Sequence, residues 1–229
     1  MTHLVRKHTH SVYGDVYIFE DDYISNIIAR NGVWEDDICS LLAQHYIDGT
    51  DVIDIGANMG FNTILMNKKQ TISQGCVFHM FEPRYDVFTV LEYNTRNLPR
   101  RLYNFALSDT SKMVHLEQFM FNKEGTLNVG ATQVIDGKSD DSFKTHVLAT
   151  TLDSIEFERK ISIIKIDVEC CEELVIRGGI GILQRDKPSI LVESFPAYFG
   201  NVYRMLSDMG YKVVWNNNHD YLFRWDYIK

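Results

Sequence analysis

The chain alternates apolar runs with segments whose apolar residues recur every three or four positions. The apolar runs lie in DVIDIGANMG, VFHMFEP, LYNFAL, ISIIKIDV and PSILVES, and helical spacing follows several of them. Strands that alternate with helices form βαβ units around a parallel sheet. ISIIKIDV is almost continuously apolar, as expected for a strand covered on both faces. The sequence therefore predicts an α/β fold with a doubly wound, mostly parallel sheet.

The C-terminal end of the chain breaks this alternation. YKVVW and YLFRW are separated by the turn sequence NNNHD, with no helix between them. They are predicted to form an antiparallel hairpin at one edge of the sheet. A parallel sheet that ends in such a hairpin resembles the Rossmann-like architecture of class I methyltransferases, an analogy of fold only.

The N-terminal segment differs from the rest of the chain. Tyr13 to Phe19 is aromatic and β-branched, and with Tyr23 and Ile24 after a Glu-Asp-Asp turn it predicts a hairpin. A helix with Ile38, Leu41, Leu42 and Tyr46 on one face is predicted to follow. We therefore divide the chain into residues 1–50, a hairpin and helix on the cap or substrate side, and residues 51–229, the ligand-binding domain. Residues 111–150 are predicted to be an insertion in that domain and a candidate lid or substrate loop.

Composition limits the possible functions. The 229 residues include 23 Lys and Arg against 31 Asp and Glu, a net charge of −8, which argues against a broad nucleic-acid-binding face. No apolar run is long enough to span a bilayer, and no secretory signal is visible. The four cysteines form no CxxC pair, so a structural zinc site is not expected. Reduced thiols in a cytoplasmic protein are the simplest expectation.

The turn Asp54-Ile55-Gly56-Ala57-Asn58-Met59-Gly60 carries the strongest functional signal. It follows a predicted strand and precedes a helix, where α/β sheets bind ligands. A dinucleotide fingerprint would need a glycine where Asn58 stands, and the Asp54 carboxylate would repel a pyrophosphate. The same carboxylate suits an ammonium and a sulfonium, as in S-adenosylmethionine. Glu82, which ends the second strand, can accept both ribose hydroxyls, a feature of nicotinamide and adenosylmethionine sites alike.

From about Asp22 to Ser194, the sequence resembles the FkbM family of S-adenosylmethionine-dependent methyltransferases. The matching stretches are DDYISNIIARNGVWE, DVIDIGANMGFNT, FEP, FALSD, TLDSI, IKIDVE and ILVES. The resemblance implies a class I fold and methyl transfer to a hydroxyl oxygen of a sugar or natural product. A saccharide or small-molecule hydroxyl acceptor is thus the expected partner, without nucleic acid and without a membrane span.

Residue by residue, the resemblance implies two sets of cofactor contacts. The cofactor loop comprises Asp54, Gly56, Ala57, Asn58 and Gly60. The other implied contacts are Glu82 at the ribose, Ser108 and Asp109 at the adenine edge, and Glu35 near the amino-acid end. The sequence departs from the family after IKIDVE, where Cys170 and Cys171 replace a glycine and a small residue. This departure lies on the substrate side of the predicted site.

Methyl transfer to a hydroxyl mostly requires positioning, helped by a base that removes the hydroxyl proton. Asp167 and Glu169 follow the fourth strand, at the sheet edge where the methyl group is expected. We predict Asp167 as base or substrate anchor, with Glu169 as second candidate. A divalent metal at Asp167 is possible but not favoured, since no further ligands can be assigned.

Two alternatives remain open from the sequence. A nicotinamide-dependent Rossmann oxidoreductase would share the ribose acid but lacks the middle glycine. The second alternative is a non-catalytic binding module that keeps the cofactor fold, since Cys170 and Cys171 depart from the family pattern.

Overall fold

The computed structural model describes residues 4–69, 71–73, 75–116, 120–121, 126–130, 134–135 and 145–225. The remaining parts of the predicted insertion lie outside the described residues. The strands are β1 (Val5–His10), β2 (Gly14–Phe19), β3 (Asp51–Ile55), β4 (Phe78–Phe81), β5 (Arg100–Tyr103), β6 (Ala106–Leu107), β7 (Lys112–Leu116), β8 (Met120–Phe121), β9 (Leu127–Asn128), β10 (Val134–Ile135), β11 (Thr145–Thr150), β12 (Ile161–Ile166), β13 (Ser189–Glu193), β14 (Tyr211–Asn217) and β15 (Asp220–Trp225). The helices are α1 (Tyr23–Ala29), α2 (Asp36–Ala43), α3 (Phe61–Lys68), α4 (Tyr85–Asn94), α5 (Glu172–Arg177), α6 (Ile180–Asp186) and α7 (Pro196–Asp208).

Seven strands form the central sheet in the order β14-β15-β13-β12-β3-β4-β5. From β13 to β5 all neighbours are parallel, whereas β15 runs antiparallel between β13 and β14. The chain winds outward from β3 through β4 to β5, then returns to β12 on the other side of β3. The predicted doubly wound sheet with an antiparallel edge hairpin is confirmed. Its strand order reverses between β3 and β12, which is where such sheets open a ligand crevice.

Each face of the sheet is covered by helices. Val52, Ile163, Leu191 and Leu222 face one core, which α2, α3 and α4 complete. Their neighbours on the opposite face pack into a second core with α5, α6 and α7. This two-sided burial explains why the parallel strands are apolar throughout. Among the described residues, no helix has the length and apolar character needed to cross a membrane.

The N-terminal hairpin differs from the predicted one. Strand β2 pairs with β1, which precedes it, and not with Tyr23 and Ile24. Those two residues begin helix α1, because the Asp22 side chain accepts a hydrogen bond from the backbone N–H of Ser25 at 2.9 Å. The Glu-Asp-Asp sequence is thus a helix N-cap rather than a hairpin turn.

Asp22 also ties this helix to the insertion, since its second oxygen accepts from the N–H of Val129 at 2.9 Å. Asp22 is fully buried. We expect Asp22→Ala to lower the free energy of unfolding by about 2 to 3 kcal/mol, because it removes a cap and strands a buried N–H group. Urea denaturation measures this loss. Glu20 is a nearby exposed residue, so Glu20→Ala should change the free energy of unfolding little. Equal losses of stability in Asp22→Ala and Glu20→Ala would contradict the capping role.

Two further elements depart from the predicted pattern. LYNFAL divides into β5 and β6, because β6 leaves the central sheet and pairs with β11 in a second sheet of order β10-β7-β11-β6. Gly178 ends α5 as predicted, but α6 follows at once. A Cβ atom at Gly178 would lie 2.0 Å from the carbonyl oxygen of Ser108, so only glycine allows this close approach.

Candidate active site

A cavity of about 310 Å³ opens at the carboxyl ends of β3, β4 and β12. Its walls come from the turn after β3, the residues that follow β4 and β12, and the insertion at Asn128–Gly130. This is the switch point of the sheet, so the cavity lies where the topology predicts a ligand.

The acid–glycine turn forms the floor of the cavity. Gly56 takes a φ of 81°, and a Cβ atom there would lie 1.8 Å from the carbonyl oxygen of Asp167. The N–H groups of Gly56 and Ala57 both donate to the Phe81 carbonyl at 3.0 Å, which joins β3 to β4. Asn58, with a φ of 49°, lines the cavity beside them. Backbone contacts therefore fix much of the shape of the predicted cofactor loop.

Gly60 belongs to the loop but does not line the cavity. It is the N-cap of α3 with a φ of 84°. A Cβ atom there would lie 2.6 Å from Thr95 and 2.7 Å from Leu91. Gly60 therefore shapes the cavity indirectly, because it allows the start of α3 to pack closely against α4.

Asp54 is buried at the start of the turn, with 1% of its surface exposed. Its Oδ2 accepts a hydrogen bond from the Thr63 hydroxyl at 2.6 Å, and its Oδ1 has no partner within the described part of the chain. Burial raises the pKa of the carboxyl group. Because helix α3 is capped by Gly60, Asp54 is not a helix cap. An acceptor atom left without a donor in this wall fits a cationic ligand group.

Glu82 forms the opposite end of the same wall. Its two oxygens accept from the backbone N–H groups of Arg84 at 2.9 Å and Asn58 at 3.2 Å. Burial raises the pKa of Glu82 to about 7. A carboxylate oxygen can accept more than one hydrogen bond, so Glu82, which lines the cavity, keeps the capacity to accept from a diol.

Glu35 reaches the cavity from the N-terminal segment. It is the N-cap of α2 in the left-handed conformation, with a φ of 49°. Its Oε2 accepts from the Asn62 side-chain amide at 2.7 Å, and burial raises its pKa. Asn62 also lines the cavity, although the sequence analysis did not select it. Asn62 lies in the first turn of α3, directly after the glycine loop, and this position could have identified it as a candidate from the sequence.

Lys165 and Asp167 form an ion pair at the end of β12. The Lys165 Nζ lies 2.7 Å from Asp167 Oδ2, and 4% of the lysine side chain is exposed. Burial lowers the pKa of Lys165, but the carboxylates around it, Asp167 foremost, outweigh burial and raise the pKa well above its usual value. Lys165 is also the direct neighbour of Asp54 in the sheet register. A lysine in an apolar strand is explained by this charge cluster.

Glu169 and Cys170 follow in left-handed backbone, with φ values of 51° and 73°. The second value lies in the backbone region that favours glycine, the residue that the resemblance implies where Cys170 stands. Glu169 lines the cavity, and its pKa is raised to about 7 by burial and by the nearby Asp167 carboxylate. The turn thus places a carboxyl group that titrates near neutral pH beside the ligand space.

Glu193 and Asp220 extend this group of carboxyl side chains. Glu193 lines the cavity, and its pKa is raised well above its ordinary range because the Asp167 carboxylate lies beside it. Asp220 begins β15 opposite Glu193, and burial raises its pKa to about 6. Glu193 is the acid of the predicted strand PSILVES, but neither Glu193 nor Asp220 is among the residues predicted for the site.

Ser108 and Asp109 lie next to the cavity without lining it. The wall there is formed by Phe105, Ala106 and Leu107. The Ser108 N–H donates to the Thr150 carbonyl, and Asp109 accepts from the Ser108 hydroxyl at 3.2 Å. Their role at the adenine edge stays a prediction. In the described part of the chain, no three His, Cys, Asp or Glu side chains are arranged to hold a metal ion.

Comparisons with known proteins agree with this architecture. The sequence profile of the methyltransferase FkbM domain matches residues 54–213. No curated protein sequence matches the chain. The fold is similar to methyltransferase FkbM from Methylobacillus flagellatus KT, at 12% identity and a TM-score of 0.55, over 88% of this chain and 52% of that one. The chain therefore spans about half the length of that relative.

Two other solved structures are similar at lower scores. A tRNA (uracil-54, C5)-methyltransferase from Pyrococcus abyssi, in complex with S-adenosyl-L-homocysteine, matches at 11% identity and a TM-score of 0.48, over 96% of this chain and 43% of that one. Precorrin-6y C5,15-methyltransferase from Geobacter metallireducens GS-15 matches at 12% identity and a TM-score of 0.48, over 83% of this chain and 87% of that one.

The profile match covers more than half of the chain, and it contains Asp54, Gly56, Glu82 and Asp167. It extends to the first strand of the C-terminal hairpin, so it includes most of the sheet around the cavity. The chain belongs to the FkbM methyltransferase family, with the mostly parallel sheet of class I methyltransferases.

Proposed function

We propose that the protein is an S-adenosylmethionine-dependent O-methyltransferase that acts on a hydroxyl of a sugar or glycan, or of a small or glycosylated natural product. One observation carries the proposal. Asp54 and Glu82, the two acids selected for the cofactor, both line one cavity, and the loop between them is tied to Glu82 through the N–H of Asn58.

The residues of this cavity fit the proposed cofactor. The unpartnered Asp54 Oδ1 suits the ammonium group, and the two Glu82 oxygens suit the ribose hydroxyls. Apolar side chains at Phe81, Phe105 and Leu107 offer a surface for the adenine ring. When bound, S-adenosylmethionine supplies an activated methyl group.

The protein's own residues then have to orient a hydroxyl and accept its proton. Asp167 is fixed by Lys165 through one oxygen, which suits it to anchor the hydroxyl. Glu169 has a pKa of about 7, which suits a base that works near neutral pH. Positioning and proton removal are the two contributions that this chemistry needs.

Aromatic side chains at the cavity support a saccharide acceptor. Tyr23 and Trp34 both line it, with ring centroids 5.9 Å apart and planes at 88°. Tyr23 is 44% exposed. Two rings in this arrangement present a flat face and an edge, which a sugar ring can contact through its C–H groups.

The alternatives are less well supported. Membership of the FkbM family and the missing middle glycine both argue against a nicotinamide-dependent oxidoreductase. A non-catalytic module would bind the cofactor without turnover, so the experiment below separates it from an enzyme.

Calorimetric titration with S-adenosylmethionine, followed by a mass-spectrometric screen of acceptors, tests the proposal. We expect heat of binding, and then formation of S-adenosylhomocysteine with a product heavier by one CH₂ group. Absence of binding would refute the cofactor assignment. Binding without turnover on any sugar, glycan or small hydroxyl compound would favour the non-catalytic module.

The affinity for S-adenosylmethionine should depend on pH through Glu82. Ribose hydroxyls donate hydrogen bonds, so the ionised carboxylate binds them better than the neutral acid. Because the pKa of Glu82 is about 7, affinity should rise by up to about tenfold between one unit below that value and one unit above it. Calorimetry across this range measures the rise. Glu82→Gln should bind more weakly with a flatter profile, and an unchanged slope would assign the titration to another group.

A further inference from the structure

Three carboxyl residues occupy neighbouring positions at one end of the sheet; Asp167 and Glu193 line the cavity, and Asp220 lies beside Glu193. Asp167 follows β12, Glu193 ends β13 and Asp220 begins β15. Glu193 is paired directly with Asp220, and Asp167 continues the register in which Ile166 is paired with Val192. Neighbouring carboxyl groups cannot all ionise without repulsion, and the Asp167 carboxylate accordingly raises the pKa of Glu193. A bound cation would favour their ionised forms, and we call these three residues the carboxyl row.

Positive charge is scarce around the carboxyl row. Among the described residues that line the cavity, six are Asp or Glu and two are cationic, Lys165 and Arg84. The Arg84 guanidinium lies 3.0 Å from Asp86, and the Lys165 ammonium lies 2.7 Å from Asp167. Glu35 and Glu169 line the same space. The ammonium and sulfonium of the proposed cofactor would offset part of this acidity, and a second cationic group would offset more of it.

A buried amide points to the same kind of ligand. Asn62 lines the cavity with 8% of its surface exposed. Its amide nitrogen donates to Glu35, which fixes the orientation of the side chain, and its Oδ1 has no hydrogen-bond partner within the described residues. A buried acceptor without a donor is unfavourable. This oxygen therefore lacks a donor, in a cavity that also has few positive charges.

Resting on the methyl transfer proposed above, we propose that the acceptor is a saccharide with a protonated amine, an amino sugar, and that the carboxyl row binds its ammonium group. An ammonium carries three donors and no acceptor, which matches both shortages. Tyr23 and Trp34 would contact the ring of the sugar. Acceptors with a phosphate or carboxylate close to the reacting hydroxyl would be repelled by the same row.

Matched acceptors that differ in charge test this proposal. We would assay methyl glycosides of glucosamine, galactosamine and mannosamine against their N-acetylated counterparts, and measure S-adenosylhomocysteine release. For at least one pair, the free amine should show a kcat/KM higher by about tenfold or more. Glu193→Gln and Asp220→Asn should each remove most of that preference. Glu158→Gln is the matched control, because its side chain is 81% exposed and pairs with Arg101 on the surface.

Each outcome decides the proposal. Equal or better transfer to the N-acetylated sugars would overturn it, as would transfer to neither form while calorimetry still shows binding of S-adenosylmethionine. A preference that persists in both row variants, with folding checked by circular dichroism, would overturn the assignment to the carboxyl row. Should Glu193→Gln fail to fold, Asp220→Asn alone decides this last point. If calorimetry shows no binding of S-adenosylmethionine to the unmodified protein, the proposed function itself is refuted.

Discussion

Gly56→Ala is expected to abolish binding of S-adenosylmethionine and to lower the free energy of unfolding by about 3 kcal/mol or more. The new Cβ atom would lie 1.8 Å from the Asp167 carbonyl oxygen, in backbone whose φ is 81°. That carbonyl cannot simply move away, because the N–H of Asp167 donates to the Ile55 carbonyl at 3.0 Å. The substitution therefore forces β3 and β12 apart at the floor of the cavity.

Urea denaturation and calorimetric titration measure the two effects. Gly200→Ala is the matched control, since Gly200 lies within helix α7 and a Cβ atom there would have no neighbour within 4 Å. It should stabilise the protein by about 0.5 to 1 kcal/mol, because alanine favours helix over glycine. Near-native stability and binding in Gly56→Ala would show that the turn can adopt another shape.

Asp54→Asn should weaken binding of S-adenosylmethionine by about 100-fold. The amide keeps the volume of the side chain and can still accept from the Thr63 hydroxyl, but it lacks the negative charge that we assign to the cofactor ammonium. Removing one partner of a buried, hydrogen-bonded charge pair costs about 2 to 5 kcal/mol, which contains the expected change. Lys165 keeps Asp167 as its partner, so the protein should still fold.

Calorimetry at a fixed pH gives the affinity of this variant. Asp36→Asn provides the control, because Asp36 is 56% exposed and pairs with Lys69 on the surface, at 2.6 Å. That variant should bind the cofactor as the unmodified protein does. If Asp54→Asn also binds normally, the cationic end of the cofactor lies elsewhere in the cavity.

The central sheet was predictable because its two signals, the apolar strands and their alternation with helices, can be read from short stretches of sequence. A strand covered on both faces has to be apolar along its whole length, and ISIIKIDV shows this directly. The N-terminal hairpin was predicted wrongly for a physical reason. Asp22 suits a turn and a helix cap equally well, and the choice depends on Ser25 and on Val129, a residue far away in the chain.

The candidate site was predictable where chemistry and chain position coincide. Asp54, Gly56, Asn58 and Glu82 lie at or just after strand ends, and the structure brings them to one cavity. Asp220 was missed because its place depends on which residue of the C-terminal hairpin pairs with Glu193, and pairing register is set by the whole sheet.

The left-handed turn after β12 limits how position 170 can evolve. A side chain at a φ of 73° is disfavoured by about 1 to 2 kcal/mol, and glycine recovers most of this despite its greater freedom in the unfolded chain. Cys170→Gly should therefore be favourable or neutral for folding. The backbone of this turn gives no stability advantage to a side chain at position 170, so any benefit of the thiol has to come from the sulfur atom.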